Sequence, residues 1–463
     1  MNPSDLHDVQ GNILVPFPRD HQVFLFLTFP PAAAAADWLA DIVPLISFTG
    51  GSLPPSPGRQ ADDAAHCGVG LSASGVRAIS GDAAVALREF SAVFGAGAAG
   101  RALQLRDTDR SAPDRWLFGG PATPHVDAVV LLAATTRPAA EDAVDAHLRL
   151  AARHRVEPVF RQECGELPGA LRGREHFGFH DGLGQPVNID EHNVDESSPP
   201  PDSDRRVPLG EFVLGRARAG KAAAQSPPRP LPDWMRDGSF QVVRRLDQDV
   251  AGWRRQLDRL HAEHGSTLGL SSAQIAAKLI GRWPSGAPLA RSPERDDGTP
   301  SDSFDFDDDP EGFVTPRFAH IRKMLPRVSG FPERQWRRVI RRGVPFGEPW
   351  DAGRPAHGER GLLLNAYMAD IEEQFEFLIR AWANDPDFPE GGDGTDPLIG
   401  RGAGVAVLRR RGASACPLRL EQHVATGGCC YLFVPSGRGL RHLAGLGAPH
   451  KPGEAPLSEK EAA

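Results

Sequence analysis

The 463-residue sequence predicts an α+β protein built from a duplicated ferredoxin-like unit, with antiparallel sheets and peripheral helices, and three observations carry that prediction. Short runs of β-branched and aromatic residues alternate with amphipathic helical segments. The alternation recurs in both halves of the chain, without the tight, regular spacing of a doubly wound parallel sheet. The 50 glycines and 43 prolines commit much of the remainder to turns and loops, which argues against a helix-rich bundle.

In chain order, HQVFLFLTFP (21–30) reads as a strand ended by proline, and the alanine-rich AAAAADWLADIVPLI after it reads as a helix. VDAVVLLAAT (126–135) is a continuous apolar strand. EDAVDAHLRLAARH (141–154) is a helix with acidic residues in its first turn and cations in its last. These elements suggest a first half spanning 1–175. The second half, 176–463, repeats the grammar: SFQVVRRL (239–246) feeds the helix DQDVAGWRRQLDRLHAEHG, and LLLNAYMADIEEQFEFLIRAWAND leads into a long amphipathic segment. GGCCYLFVPS closes the series as a last strand. Polar tracts at 188–208 and 291–310 read as solvated loop insertions. The run Asp307, Asp308, Asp309 lacks the alternating ligands, central glycine and closing glutamate of a calcium loop, so a surface loop is the preferred reading.

A formal charge of -8 argues against a nucleic-acid partner, since phosphate neutralisation needs an excess of Lys and Arg. The start MNPSDLHDVQ has no basic segment followed by an apolar one, and no apolar run reaches bilayer length. A cytoplasmic protein without a membrane partner is expected. The five cysteines form no CxxC or CxxCH, which removes zinc ribbons, thioredoxin-type centres and covalently attached c-type haem.

Four segments carry candidate chemistry. FGFHDGLGQP (177–186) sets His180 beside Asp181 between glycines, open to readings from metal ligand to general base to polar turn. HAEH (261–264) places two histidines at i and i+3, but without a HExxH glutamate a solvated helix is preferred over a metal site. In FAHIRKMLPR (318–327), His320 sits in an apolar frame before Arg322, Lys323 and Arg327, a pattern suited to an axial haem ligand whose propionates need cations. Taken alone, the plainer reading is a half-buried histidine opening a basic helix. RRVIRRGVPFGEPW (337–350) offers arginines of which one could pack inward and stabilise a forming anion.

As an ordered set, GFHDG (fitting GxxDG), AHIRK with a following PR, the arginine of RRGVPFG and DVQGNIL near the start resemble the dye-decolorizing peroxidase family. GRWPSGAPL, GLLLNAYMADIEEQFEF and GGCCYLFVPS extend the likeness over nearly the whole chain. The resemblance implies a dimeric α+β barrel superfamily fold with haem b, one per chain, held in the second half. It implies a peroxidase that reduces hydrogen peroxide through a ferryl intermediate and oxidises dyes, phenols or other small aromatic donors, with a homo-oligomer as a possible state. Carried over by position, His320 is the iron ligand, Asp181 the distal carboxylate and Arg341 the distal arginine, with Arg342 the neighbouring candidate. Arg327 and His180 serve the cofactor, Leu362 and Leu364 form an apolar ceiling, and Phe375 packs near the porphyrin. Asp396 in DPLIG is the candidate partner of the His320 ring, and Glu333 the runner-up. An aspartate stays ionised further into acid than an imidazole, so activity favouring acid pH is expected. Eight tryptophans against Tyr367 and Tyr431 make Trp the residue type for any surface electron relay, although core packing is the first reading of each. Thr315, Leu325 and Leu364 stand where relatives often carry cysteine, asparagine and phenylalanine, which bears on pocket shape and substrate preference. The competing function is a protein that handles or senses haem without efficient turnover, for which a distal carboxylate and arginine have no use.

Overall fold

The apolar run predicted as the first strand forms β1 (His21–Thr28), with six consecutive buried residues at its centre. In the computed structural model, which describes residues 6–49, 64–189, 206–218, 231–331, 336–354, 358–389, 391–402 and 404–446, β1 is followed by β2 (His66–Leu71), β3 (Ala128–Ala134) and β4 (Glu157–Cys164). These strands lie in the order β4-β1-β3-β2, each antiparallel to its neighbour. The second half supplies β5 (Ser239–Gln248), β6 (Ile340–Arg341), β7 (Val344–Phe346), β8 (Gly361–Met368) and β9 (Val424–Val434). Their order is β9-β5-β8, with β6 and β7 both pairing β8, so the interrupted β6/β7 takes the place that β2 holds in the first half. The ferredoxin-like order thus occurs twice.

The two units meet where β2 pairs β9 at Leu71 and Phe433, giving one nine-stranded sheet among the described residues. Gly70 is required at this seam, because a Cβ there would lie 2.5 Å from Gln241 Oε1 and 3.0 Å from Leu432 Cβ. The N-terminal DVQGNIL segment staples the seam from outside. Gln10, almost wholly buried, donates from Nε2 to Val69 O (3.0 Å) and Pro435 O (2.9 Å) and accepts from Val69 N–H (2.9 Å). Its carboxamide replaces the ladder bonds that a longer β2–β9 pairing would have made.

The helices follow local rules. Asp249 caps Val250–Leu268 by accepting from Gly252 N–H at 2.8 Å. The helix expected to begin at Glu141 begins at Arg137, because Thr136 caps it and Pro138 fits its first turn. Glu141 and Asp142 therefore lie beyond the first turn, which carries no acid. After β8, Asp370 caps a segment wound as π-helix over Ile371–Glu376 and Leu378–Ala383. The hairpin Gly404–Arg410/Ala413–Leu420 had no sequence signal strong enough to announce it. Trp38, Trp116, Trp253, Trp283 and Trp382 are packed in the interior. Among the described residues no helix is long and apolar enough to cross a membrane.

The polar tract 291–310 faces water for most of its length, yet Asp302 and Asp309 turn inward. Asp309 accepts from the N–H groups of Phe313 (2.7 Å), Val314 (3.1 Å) and Thr315 (2.8 Å) and pairs with Arg322 Nη1 at 3.3 Å, so it ties the approach to His320 to the helix that His320 opens. Most of the 188–208 tract lies outside the described residues; its ends form a short parallel pair, Val187–Ile189 with Arg206–Pro208.

Three buried charges lock the halves together. Asp107 of the first half accepts from Arg244 Nη1 (2.8 Å) and Nη2 (2.5 Å) and stands 3.1 Å from Arg401 Nη2. Thr426 Oγ1 donates to the same carboxylate at 3.2 Å. Removing one member of such a set leaves the others charged and dry. Asp107→Ala is therefore expected to destabilise the protein by about 3–5 kcal/mol. Arg161→Ala, which breaks part-exposed pairs to Glu141 and Glu163, should cost about 1 kcal/mol or less. Unfolding midpoints compare the two, and equal losses would refute the assignment.

Candidate active site

β8 alternates Leu362, Leu364 and Ala366 onto one face, and that face forms a wall of a cavity of about 290 Å³. Leu363 and Tyr367, on the other face, pack into separate apolar clusters. Phe375, Leu378 and Ile379 from the π-wound segment and Leu398 and Ile399 from the DPLIG loop complete a largely apolar enclosure. Polar groups are set into it at intervals, Asp181, Glu175, His180, His320 and several arginines including Arg19, Arg327 and Arg341. A mostly apolar cavity with a few convergent polar groups is the usual form of a cofactor site.

His320 is the first residue of the short helix His320–Met324. Its Nδ1 lies 2.8 Å from Asp396 Oδ2. The Asp396 carboxylate is itself held by the N–H groups of Leu398 (2.8 Å) and Ile399 (3.0 Å). Burial opposes ionisation of Asp396, but the nearby imidazole and these bonds outweigh it, and its pKa is held below the usual aspartate value. An ionised Asp396 makes Nδ1 the protonated nitrogen and leaves Nε2 with its lone pair, the form that binds a metal. Glu333, the alternative partner, lies outside the described residues.

The cations beside His320 divide in a way their spacing did not announce. Arg322 and Lys323 were expected to stand ready for propionates, yet neither borders the cavity. Arg322 donates to Thr315 O at 2.7 Å, and Lys323 to Asp385 O (2.7 Å) and Gly394 O (2.8 Å). Two and three residues past His320, a helix has turned these side chains away; the Lys323 charge is met by carbonyl dipoles, and the Arg322 charge by a carbonyl and by Asp309 Oδ2 at 3.3 Å. Burial pushes the Lys323 ammonium down to about 8. Arg327 does border the cavity, with Nη1 donating to Asp302 O (2.5 Å) and its guanidinium over the Phe304 ring at 4.4 Å.

The same division resolves the Arg341/Arg342 pair. Arg342 grips the N-terminal turn, donating to Asn12 O (3.0 Å), Ile13 O (3.1 Å) and Leu14 O (3.2 Å). Arg341 borders the cavity, its guanidinium bonded to Leu183 O and its backbone bracketed by Gln185, which accepts from Arg341 N–H (3.1 Å) and donates to Arg341 O (2.8 Å). Neighbours along a strand point to opposite faces, so only one of the two can serve the cavity.

Asp181 and His180 both border the cavity. His180 Nδ1 is bonded to the Asp181 carbonyl at 2.9 Å, so the imidazole braces the turn that carries the carboxylate. Gly182 allows that turn, with φ +83° and Arg19 Nη1 at 3.3 Å from where a Cβ would be. Elsewhere, His261 Nδ1 meets Leu270 O (3.1 Å) and His264 Nδ1 lies 3.5 Å from Cys416 Sγ.

Sequence reasoning missed Glu175, which nothing in GREHFGFHDG marks out. Its carboxylate accepts from Phe177 N–H (2.8 Å), Phe179 N–H (2.9 Å) and Gln248 Nε2 (2.5 Å), which fixes the start of the GFHDG turn. By area the residue is half-buried, because it borders the cavity, but burial among protein atoms pushes its pKa up to about 6. A carboxylate raised above its unfolded value stabilises the fold below that value and loses the contribution as pH rises through the folded one. Wild-type stability should thus decline, relative to Glu175→Gln, between about pH 4.5 and about 6. Unfolding midpoints across that range check it; parallel pH profiles would show that Glu175 does not titrate there.

Comparison with known proteins agrees with this architecture. Residues 219–388 match the family described as Dyp-type peroxidase, C-terminal. The chain is 31% identical over 453 residues to a dye-decolorizing peroxidase of Exidia glandulosa, covering 92% of this chain and 85% of the relative. It is 30% identical over 475 residues to the multifunctional dye peroxidase DyP2 of Amycolatopsis sp., covering 95% and 96%. The solved structure of an ancestral D-type dye decolorizing peroxidase superposes with a TM-score of 0.76 at 26% identity, over 94% of this chain and 98% of that one. With this coverage, and with the ferredoxin-like order found twice, the chain belongs to the dye-decolorizing peroxidase family.

Proposed function

We propose that this DyP-type peroxidase, an oxidoreductase acting on peroxide, binds one haem b per chain through His320 in its second half, taken as 176–463 after a first half of 1–175. In this reading it reduces hydrogen peroxide at the expense of dyes, phenols or other small aromatic one-electron donors. The observation that carries the reading is the convergence of His320, Asp181 and Arg341 on one apolar cavity, with Asp396 behind the imidazole. The residues fit the cofactor: a neutral imidazole nitrogen for iron, leucine and phenylalanine walls for the macrocycle, and Arg327 for a propionate. Haem, when bound, supplies the redox chemistry, accepting oxidising equivalents from peroxide and passing them singly to donors.

The chain's own residues do the rest. Asp396 holds the His320 ring in one tautomer and strengthens Nε2 as a donor. The Asp181 carboxylate takes the proton from the inner peroxide oxygen and returns it to the outer one, so that water can leave. The Arg341 guanidinium, held by Leu183 O and Gln185, offsets the negative charge growing on the departing oxygen. Leu362, Leu364 and Phe375 exclude water, which strengthens both polar effects. Haem handling without turnover needs His320 but neither Asp181 nor Arg341, and their presence on the same cavity favours turnover.

His320→Ala should lose the Soret band of the purified holoprotein. In stopped-flow mixing with hydrogen peroxide, Asp181→Ala should slow the reaction about 10²–10⁴-fold and Arg341→Ala about 10²–10³-fold. Wild-type rates in both variants would leave haem binding standing and remove the distal roles.

A further inference from the structure

We propose that Arg19, contributed by the first half, is a positioning residue that fixes the Asp181 carboxylate in its working orientation. This deepens, and rests on, the reading of Asp181 as the proton-transferring group. Arg19 lies just before β1 and borders the cavity, and its Nη2 donates to Asp181 Oδ2 at 3.3 Å.

The pair is closed into a circuit. Arg19 Nε stands 2.8 Å from Glu166 Oε1, too bent for a hydrogen bond, so the contact acts as an ion pair. Glu166 Oε2 accepts from Gly173 N–H at 2.7 Å, and Gly173 O accepts from Asp181 N–H at 2.9 Å. The chain of contacts then returns through the Asp181 carboxylate to Arg19. Glu166 N–H also donates to Arg19 O at 3.1 Å, so both backbone and side chain of Arg19 are clamped to one residue. Asp181 is therefore gripped at its amide and at its carboxylate by one rigid loop pair.

The arrangement has a physical purpose. A carboxylate that must take and return a proton between two oxygens gains only if it is already aimed, since small misplacements cost large factors in rate. Asp181 sits in a turn opened by Gly178 and Gly182, with Glu175 as a like charge nearby, so both flexibility and repulsion would otherwise disperse its rotamers. Arg19 supplies the opposing charge, and its planar fork spans Asp181 and Glu166 at once.

The test compares Arg19→Ala, Arg19→Lys, Glu166→Gln and Asp181→Asn holoenzymes in stopped-flow reaction with hydrogen peroxide, with a crystal structure of Arg19→Ala. Arg19→Ala should lower the second-order rate constant for peroxide about ten- to a hundredfold while the KM for the reducing donor stays unchanged. Arg19→Lys, which keeps the charge and loses the fork, should recover part of the rate, and Glu166→Gln should show a smaller loss of the same kind. The Arg19→Ala crystal should show the Asp181 carboxylate in more than one rotamer. A wild-type peroxide rate with a single Asp181 rotamer in Arg19→Ala, beside a severe loss in Asp181→Asn, overturns the positioning role alone. A slow Arg19→Ala that lysine does not restore, with Asp181 unmoved, also overturns it. A wild-type rate in Asp181→Asn removes the underlying reading instead.

Discussion

Arg244 and Arg401 can lie inside the protein because Asp107 meets both, and the same requirement, that a charge removed from water be matched at contact distance, shapes the site. Arg322 is spent on Thr315 O and the Asp309 carboxylate, Lys323 on carbonyl oxygens, Arg342 on the N-terminal turn, and Arg282 on Asp302 at 2.7 Å. Each pairing holds a loop. The held residues lie outside the cavity lining, but the cations that hold them adjoin lining residues, His320, Ile321 and Met324 beside Arg322 and Lys323 and Arg341 beside Arg342, so the charge pairing of the interior helps set where the candidate groups stand.

The duplication creates a division of labour. The second unit supplies His320, Asp396, Arg341 and the β8 wall, the segment between the two strand sets supplies Asp181, and the first unit supplies Asp107 at the core and Arg19 at the cavity edge. A seam paired at Leu71 and Phe433 alone would be weak, and Gln10 and Asp107 reinforce it. Chemistry in one unit therefore depends on packing from the other. This accounts for DVQGNIL: the motif lies far in sequence from Asp181, His320 and Arg341, yet its turn receives Arg342 and its glutamine ties β2 to the residue after β9.

The cavity combines a dry enclosure with carboxylates of different standing. Asp396 is fully enclosed and kept ionised by the imidazole and two amides. Glu175 has no cation at contact among the described residues, and burial raises its pKa. Asp181 is paired with Arg19 near the surface. Environment, not residue type, separates their roles.

The sequence by itself determined β1, β3, β5, β8 and β9, the helices that follow β1, β3 and β5, the duplicated α+β class and the identities of His320, Asp181, Arg341 and Asp396 as candidates, because apolar periodicity and short ordered motifs are local properties of the chain. It did not announce β2, whose Gly70 makes sense only against Gln241 and Leu432, nor β4, β6, β7 and the helices within 73–100 and 272–280, nor the helix start at Thr136, where a cap and a proline outweighed the acidic signal. Only the tertiary structure decided which of two adjacent arginines faces the cavity, which cations beside His320 are already engaged, and that Glu175 and Arg19 belong to the site. Those outcomes depend on which carbonyl or carboxylate arrives at contact distance from residues tens to hundreds of positions away. A single sequence names the charges, but the fold assigns their partners.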